Sequence, residues 1–318
     1  MKIPIIVGVT ASGKTEIAVK LKEKFSLEII SADSRQIYKY LSIGTNKPQG
    51  KWVKINDDFV FVYKDVNYHL VDFLEPDKEY NALEFYKDAT KCINKIFKNH
   101  NLAVIVGGTG LYIKTITDGI SLLPKRSNKI REELKEKLEF YGKEYLYNML
   151  YKLDPKRAKE IHPNNINRII RSLEIIIQTG EPFSELVKKL PKTKSYDVVI
   201  VGFYLSKQLI KKRIISRTEW MFKNGVIEET RELLNKGYDA TIPAFTSIGY
   251  NWIVKFINNE ISLDTAKENF IKDTLDYAKR QMTWFKKDKR IFWIDCDTLS
   301  EKEVVKKIYD KISKELNF

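Results

Sequence analysis

Cysteine is scarce in this chain. Its 318 residues include two, Cys92 and Cys296, far apart in sequence, which excludes a disulfide framework and a four-ligand zinc site. A reducing, cytoplasmic setting is the expectation. Long hydrophobic runs are missing too. No apolar stretch approaches the roughly 20 residues that a membrane-crossing helix needs. The amino terminus carries one lysine and then enters a short apolar run, so no cleavable signal is expected. Internal repeats and low-complexity tracts are absent, which leaves no sign of a repeat architecture.

Acidic charge falls short of basic charge. Lys and Arg number 56 against 42 Asp and Glu, a net +14, with a pI near 9.4. The excess is +3 over residues 1–120, +6 over each of 121–205 and 206–290, and −1 over 291–318. Lysines solvating helix surfaces explain such a balance as readily as a partner does. The functional reading is a polyanion larger than a nucleotide, held across the second and third segments. At 43% apolar, the chain is long enough for one large globular domain or two moderate ones.

Against these absences stands one sharp motif. GVTASGKT at 8–15 matches G-x-x-x-x-G-K-[ST] at every fixed position. The apolar run 3–7 before it suits a buried parallel strand, and Ile17, Ala18, Leu21 and Phe25 recur at helical spacing over 14–25. Strand, loop and helix come in the order a phosphate-binding loop requires. Its residues Gly8, Val9, Thr10, Ala11, Ser12 and Gly13 offer backbone N–H groups to a diphosphate or triphosphate. Lys14 adds positive charge, and the Thr15 hydroxyl suits Mg²⁺.

A second strand over 27–31 delivers SADSRQ, and chemistry in open parallel sheets gathers at strand carboxyl ends. Asp33 therefore lands beside the phosphate loop, unless it only caps a helix beginning at Ser34. GTNKP at 44–48 reads as a turn, 56–65 as a flexible excursion, and 68–74 as a strand or extended loop. Asn81 caps a helix to about Lys98. The apolar strand 102–106 ends in GGTG and a helix to about Thr117, a second glycine turn that a plain tight turn explains equally well. No acid follows that strand, where a mechanical ATPase places its Mg²⁺-holding Asp. The reading shifts from motor to group transfer.

From 122 to about 195 the periodicity is helical, with helices expected at 125–141, 143–152, 155–162 and 165–179. A strand returns at 197–204. Helices follow at 206–222 and 226–236, then a loop over 241–249 and a long helix at about 264–287. A last strand at 290–294 precedes a terminal helix. YAKRQMTWF at 277–285 interleaves basic and aromatic residues, which suits RNA, although an amphipathic core helix gives the same pattern.

GVTASGKT, SADSRQIYK at 31–39, GTNKP, GGTGLYIK at 107–114, HPNNINRIIRSLEI at 162–175, IGY at 248–250 and AKRQMTWF at 278–285 occur in this order. Together they resemble the tRNA dimethylallyltransferase (tRNA isopentenyltransferase) family over nearly the whole chain. The resemblance implies an α/β fold with a P-loop NTPase-like parallel sheet flanked by helices. The catalytic core would span 1–121 and 196–318, with an all-helical insertion at 122–195. The implied reaction moves a dimethylallyl group from its diphosphate to N6 of the adenosine immediately 3′ of the anticodon, adenosine-37. Asp33 would take the N6 proton, while Lys14, Thr15 with Mg²⁺, and Arg217 would hold the leaving diphosphate.

For tRNA contacts the resemblance points to Asp33, Ser34, Arg35, Gln36, Thr109 and Arg131. It adds Asn167, Arg168, Ile169, Ile170 and Arg171, then Thr246, Ser247, Ile248, Gly249, Tyr250 and Asn251. On the long helix it adds Lys279, Arg280, Gln281, Met282, Thr283, Trp284, Phe285 and Lys286. Thr246 and Asn251 stand where family members often carry arginine, and the zinc finger of some eukaryotic members is absent. The expected partners are tRNA and dimethylallyl diphosphate, with no membrane, for a monomer. Two rivals are a P-loop small-molecule kinase using ATP and an RNA-binding protein with a regulatory nucleotide site. Neither uses the basic insertion and Asp33 together.

Overall fold

The computed structural model describes residues 2–55 and 58–317. The chain forms two compact units, one of Met1–Asp118 with Ser195–Phe318, the other of Gly119–Lys194. In the first, β1 (Lys2–Val7) is buried along Ile3–Val7, as a central parallel strand must be. It feeds the loop 8–13 and α1 (Lys14–Lys20). The helical spacing extends to Phe25, but α1 stops at Lys20, where a 3-10 turn, Leu21–Glu23, carries Leu21 into full burial. After β2 (Leu27–Ala32) the chain does not form a helix from Ser34. Asp33 instead caps a turn, its Oδ1 accepting from the N–H groups of Arg35 at 2.9 Å and Gln36 at 3.3 Å.

Where a flexible excursion is expected, β3 (Lys51–Ile55) and β4 (Asp58–Tyr63) pair as an antiparallel ladder. Asn56 and Asp57 lie outside the described residues. Of the strand or extended loop expected at 68–74, only Tyr68 and His69 are strand. Its strand, β5 (Val66–His69), starts earlier and ends where Leu70 and Asp72 take φ of 57° and 55°. Asn81 closes a capping box with Glu84 on α2 (Ala82–Lys98). Then come β6 (Leu102–Gly107) and α3 (Gly110–Thr117).

The second unit is helical. In α4 (Asn128–Leu153) two expected helices run together across a kink at Gly142, whose φ of 80° only glycine adopts freely. α5 (Pro155–Lys159) starts with proline on the Asp154 cap, α6 (Ile166–Thr179) stops at Gly180, and α7 (Phe183–Lys189) is too short for periodicity to reveal. Leu134, Leu146, Leu150, Ile169, Ile170 and Leu173 form its core. Glu174 is fully buried there, accepts from Ser127 N at 2.6 Å and pairs with Arg131 and Arg171 at 3.5 and 3.0 Å.

Back in the first unit, β7 (Asp197–Tyr204) precedes α8 (Lys207–Lys223) and α9 (Val226–Asn235). The expected loop 241–249 contains a 3-10 turn at Pro243–Thr246 and leads into an unanticipated α10 (Tyr250–Ile257). α11 (Leu263–Phe285), β8 (Phe292–Asp295) and α12 (Glu301–Leu316) complete it. One eight-stranded sheet runs in the order β3-β4-β5-β2-β6-β1-β7-β8. It is parallel from β5 to β8, and the hairpin β3-β4 adds an antiparallel edge. Strands β2 and β1, on either side of β6, therefore open onto the same carboxyl edge. No described helix is long and apolar enough to cross a membrane.

Breaking a buried ion pair on one side strands its partners. Glu174→Ala should lower the helical unit's stability by about 3–5 kcal/mol, seen as an earlier urea unfolding midpoint. An unchanged midpoint would show that the two arginines reach solvent freely.

Candidate active site

The loop after β1 owes its shape to a few unusual backbone positions. Ala11 and Gly13 have φ of 62° and 85°. A Cβ on Gly8 would sit 2.6 Å from Ser12 Oγ. Lys14 folds back to donate to Val9 O at 3.3 Å. Neighbouring helices fix the loop from outside. On α8, Arg213 donates to Ala11 O and Ser12 O at 3.4 and 3.3 Å, and Arg217 donates to Thr10 Oγ1 at 2.7 Å. On α11, the Gln281 amide accepts from Thr10 N at 2.8 Å and donates to Gly108 O at 2.9 Å. That clasp joins the two glycine turns.

A cavity of about 230 Å³ opens here, lined among others by Lys14, Thr15, Asp33, Gln36, Arg217 and Tyr277. Its electrostatics are unbalanced. Burial, reinforced by the Arg217 guanidinium and opposed by the Asp33 carboxylate, pulls the Lys14 ammonium down to about 8. Burial likewise lowers Arg217 to about 10 against the pull of Asp33. Glu16 also lines the cavity, but Tyr63 and Lys64 occupy its carboxylate. Two desolvated cations thus share one carboxylate, and a bound polyanion would relieve both. Buried Ser12 Oγ and Arg217 Nε have no hydrogen-bond partner among the described residues. Asp33 spends Oδ1 on its turn, and Oδ2 has no such partner either. A larger groove, about 770 Å³, lies at the strands' amino ends and includes none of these residues.

The remaining predicted contacts divide by burial. Thr109 Oγ1 accepts from Ser34 N at 3.0 Å, and Arg35 donates to Thr246 Oγ1 at 2.8 Å, so both contacts tie down the turn that carries Asp33. Lys279, Arg280, Thr283, Trp284 and Lys286 are exposed along α11 and just past it, as is Asn251 on α10, while Ile248 is half-buried. Gln281 is buried in the clasp, Met282 packs on the core, and Phe285 is 2% exposed. Ser247 and Gly249 are buried, and Tyr250 is fully sealed. In the helical unit Asn167 and Arg168 are exposed, whereas Ile169 and Ile170 are core and Arg131 and Arg171 hold Glu174. The side chains of Ile169, Ile170, Ser247, Tyr250, Gln281 and Phe285 are thus all buried. Their motifs interleave packing residues with exposed ones.

Sequence reasoning gave no role to Arg213 and read Tyr277 only as part of a basic and aromatic run, not as lining the cavity. Each sits one helical turn before a noted residue, Arg217 and Gln281, so an i, i+4 inspection would have found them. Lys47, Tyr63 and Trp220 also line the cavity, and nothing local marks them.

The description "IPP transferase" belongs to the family model that matches residues 36–288, and "Isopentenyl transferase" to one matching residues 1–60. The tRNA dimethylallyltransferase of Caldicellulosiruptor saccharolyticus is 39% identical over 314 residues, 97% of each chain. That of a Thermoanaerobacter species is 40% identical over 100% of this chain and 99% of its own. Among solved structures, the tRNA isopentenylpyrophosphate transferase of Bacillus halodurans superposes with a TM-score of 0.71 at 31% identity, covering 99% of this chain and 97% of its own.

A lysine whose pKa is depressed holds its charge below that value and loses it as pH rises through it. Inorganic diphosphate should therefore bind the free protein more weakly as pH climbs past about 8, measured by calorimetric titration from pH 6.5 to 9.5. Lys14→Ala should bind weakly throughout and lose this alkaline limb. A limb retained in that variant would assign it to another group.

Proposed function

The chain belongs to the IPP transferase family, and we propose that it transfers the dimethylallyl group of dimethylallyl diphosphate to N6 of adenosine-37 in tRNA, releasing diphosphate. One observation carries the mechanism: Asp33 has one carboxylate oxygen committed to its turn and the other unpartnered, beside two desolvated cations. The exocyclic amine of adenine is a poor nucleophile. As its nitrogen bonds to the allylic carbon, the carbon–oxygen bond to diphosphate breaks, and an N6 proton passes to Asp33 Oδ2. The departing electron pair stays on the diphosphate oxygen. Lys14, Arg217 and the loop N–H groups are fixed donors for that growing charge. The loop is thereby a holder of a leaving group rather than a site of nucleotide hydrolysis.

Mg²⁺ suits this donor set. It is commonly held by one or two protein oxygens, substrate phosphates and water, and no cluster of three or more His, Cys, Asp or Glu fit for a metal occurs among the described residues. The Thr15 hydroxyl, on the cavity wall, would be its protein ligand. Bound there, the ion would neutralise charge on the diphosphate.

The target base must leave its stack to reach a carboxylate inside a cavity, which costs a few kcal/mol. We assign RNA contact to seven exposed members of the predicted set: Lys279, Arg280, Thr283, Trp284 and Lys286 in the first unit, Asn167 and Arg168 in the second. The α11 face suits both phosphates and an unstacked base. A monomer fits this reading. So does a cytoplasmic setting, with Cys92 and Cys296 both free and their thiols raised by burial to about 11.

Protein, Mg²⁺ and tRNA incubated with dimethylallyl diphosphate should yield a prenylated adenosine, detected by mass after nuclease digestion. ATP consumption driven by a small acceptor, with tRNA unmodified, would sink the proposal in favour of a kinase. Asp33→Asn keeps an oxygen for the turn and replaces only the free acceptor. It should bind tRNA normally while losing about 10²–10⁴-fold in turnover. Parallel loss of binding would make Asp33 structural.

A further inference from the structure

Two motifs remain outside the mechanism, GTNKP at 44–48 and IGY at 248–250. They meet at Glu229 on α9. Its Oε2 accepts from Ser42 N at 2.6 Å and Ile43 N at 2.7 Å, and its Oε1 from Gly44 N at 3.1 Å. The fourth donor is the Tyr250 hydroxyl, 2.6 Å from Oε1. Tyr250 is fully buried, and its ring explains the glycine: a Cβ on Gly44 would lie 2.5 Å from the phenolic oxygen. Burial and the adjacent Glu229 carboxylate hold the phenol well above its ordinary value, so it donates at every physiological pH.

The turn so anchored points its far end at the cavity. Asn46 O and Thr45 O accept from the Gln36 side-chain amide at 2.9 and 3.4 Å. Gln36 N in turn donates to Asp33 Oδ1. A second anchor comes from Lys47, buried at 4% exposure, which donates to Tyr38 O and Asp72 at 2.5 Å each. The path from Glu229 to Asp33 therefore runs through three backbone amides of one turn, then the side-chain amide and the backbone N–H of Gln36, all in the first unit.

We propose that Glu229, oriented by Tyr250, is a positioning residue for the acceptor side of the active site: it fixes the 42–46 turn, and the turn fixes Gln36 against Asp33. The proposal rests on the prenyltransferase reading for its kinetic consequence and on geometry alone for the clamp. A carboxylate suits the task because it accepts on both oxygens, while an amide has one accepting oxygen and would turn N–H toward N–H. Misplacing a reacting group by about 1 Å can cost on the order of 10²-fold in rate. The diphosphate loop is held separately, by Arg213, Arg217 and Gln281, so donor binding should be spared.

Glu229→Gln should raise amide hydrogen exchange across 42–46 and lower kcat for tRNA prenylation about 10–100-fold. KM for dimethylallyl diphosphate should stay within about twofold. Glu229→Asp should recover part of the rate. In a Gln36→Ala background the Glu229→Gln change should cost little more, because its route is already cut. Unchanged exchange would overturn the clamp. Faster exchange with unchanged kcat, or full additivity with Gln36→Ala, would overturn the positioning role. If the wild-type protein prenylates nothing, the functional reading fails by itself, and exchange still decides the clamp.

Discussion

Two partly buried cations set against a single carboxylate are the constraint from which the rest of this molecule follows. Lys14 and Arg217 cannot be placed that way cheaply. Lys14 comes from the chain's first strand–loop–helix unit, and Arg217 lies on a helix some 200 residues later. Keeping them together demands the outer bracing seen around the loop: Arg213 under its carbonyls, Gln281 bridging to Gly108, Thr10 facing Arg217. Much of what surrounds the cavity is scaffolding for an uncomfortable charge pattern. The pattern is comfortable only with a polyanion present.

The same pattern separates group transfer from hydrolysis. The strand between the two that carry the loop and Asp33 ends in glycine rather than an acid. Gly107 is there because it must be: a Cβ would lie 2.2 Å from Ala32 O. Close strand packing and the lack of a metal-holding acid are thus one feature. The acid sits on the neighbouring strand, with one oxygen tied and one open.

What the sequence made legible was whatever repeats over a short window. The loop 8–15, the placement of Asp33 after a strand, and β7 from Asp197 to Tyr204 can be read from a dozen residues each. Arg217 came through resemblance. The hairpin β3-β4 escaped because its exposed residues do not alternate cleanly, and α7 and α10 are too short to show a period. Motif membership does not separate the residues that pack from those left exposed. Ile169, Ile170 and Phe285 fill cores, Gln281 clasps two turns, and Tyr250 bonds Glu229. Glu229 itself carries no local signature. Its partners lie 21 residues ahead and some 185 behind, a distance that no periodicity bridges.

The sheet order has one more consequence, for synthesis. β1 lies between β6 and β7, paired with β7 along six residues from Lys2↔Asp197 to Val7↔Gly202. The whole helical unit is translated between those partners. Until residue 202 has left the ribosome, the apolar run Ile3–Val7 has a bare parallel edge, the kind that pairs with the wrong chain. The helical unit is thus also a delay written into the message. While it is translated, the half-built sheet carries its open edge, and a chaperone has that interval in which to cover it.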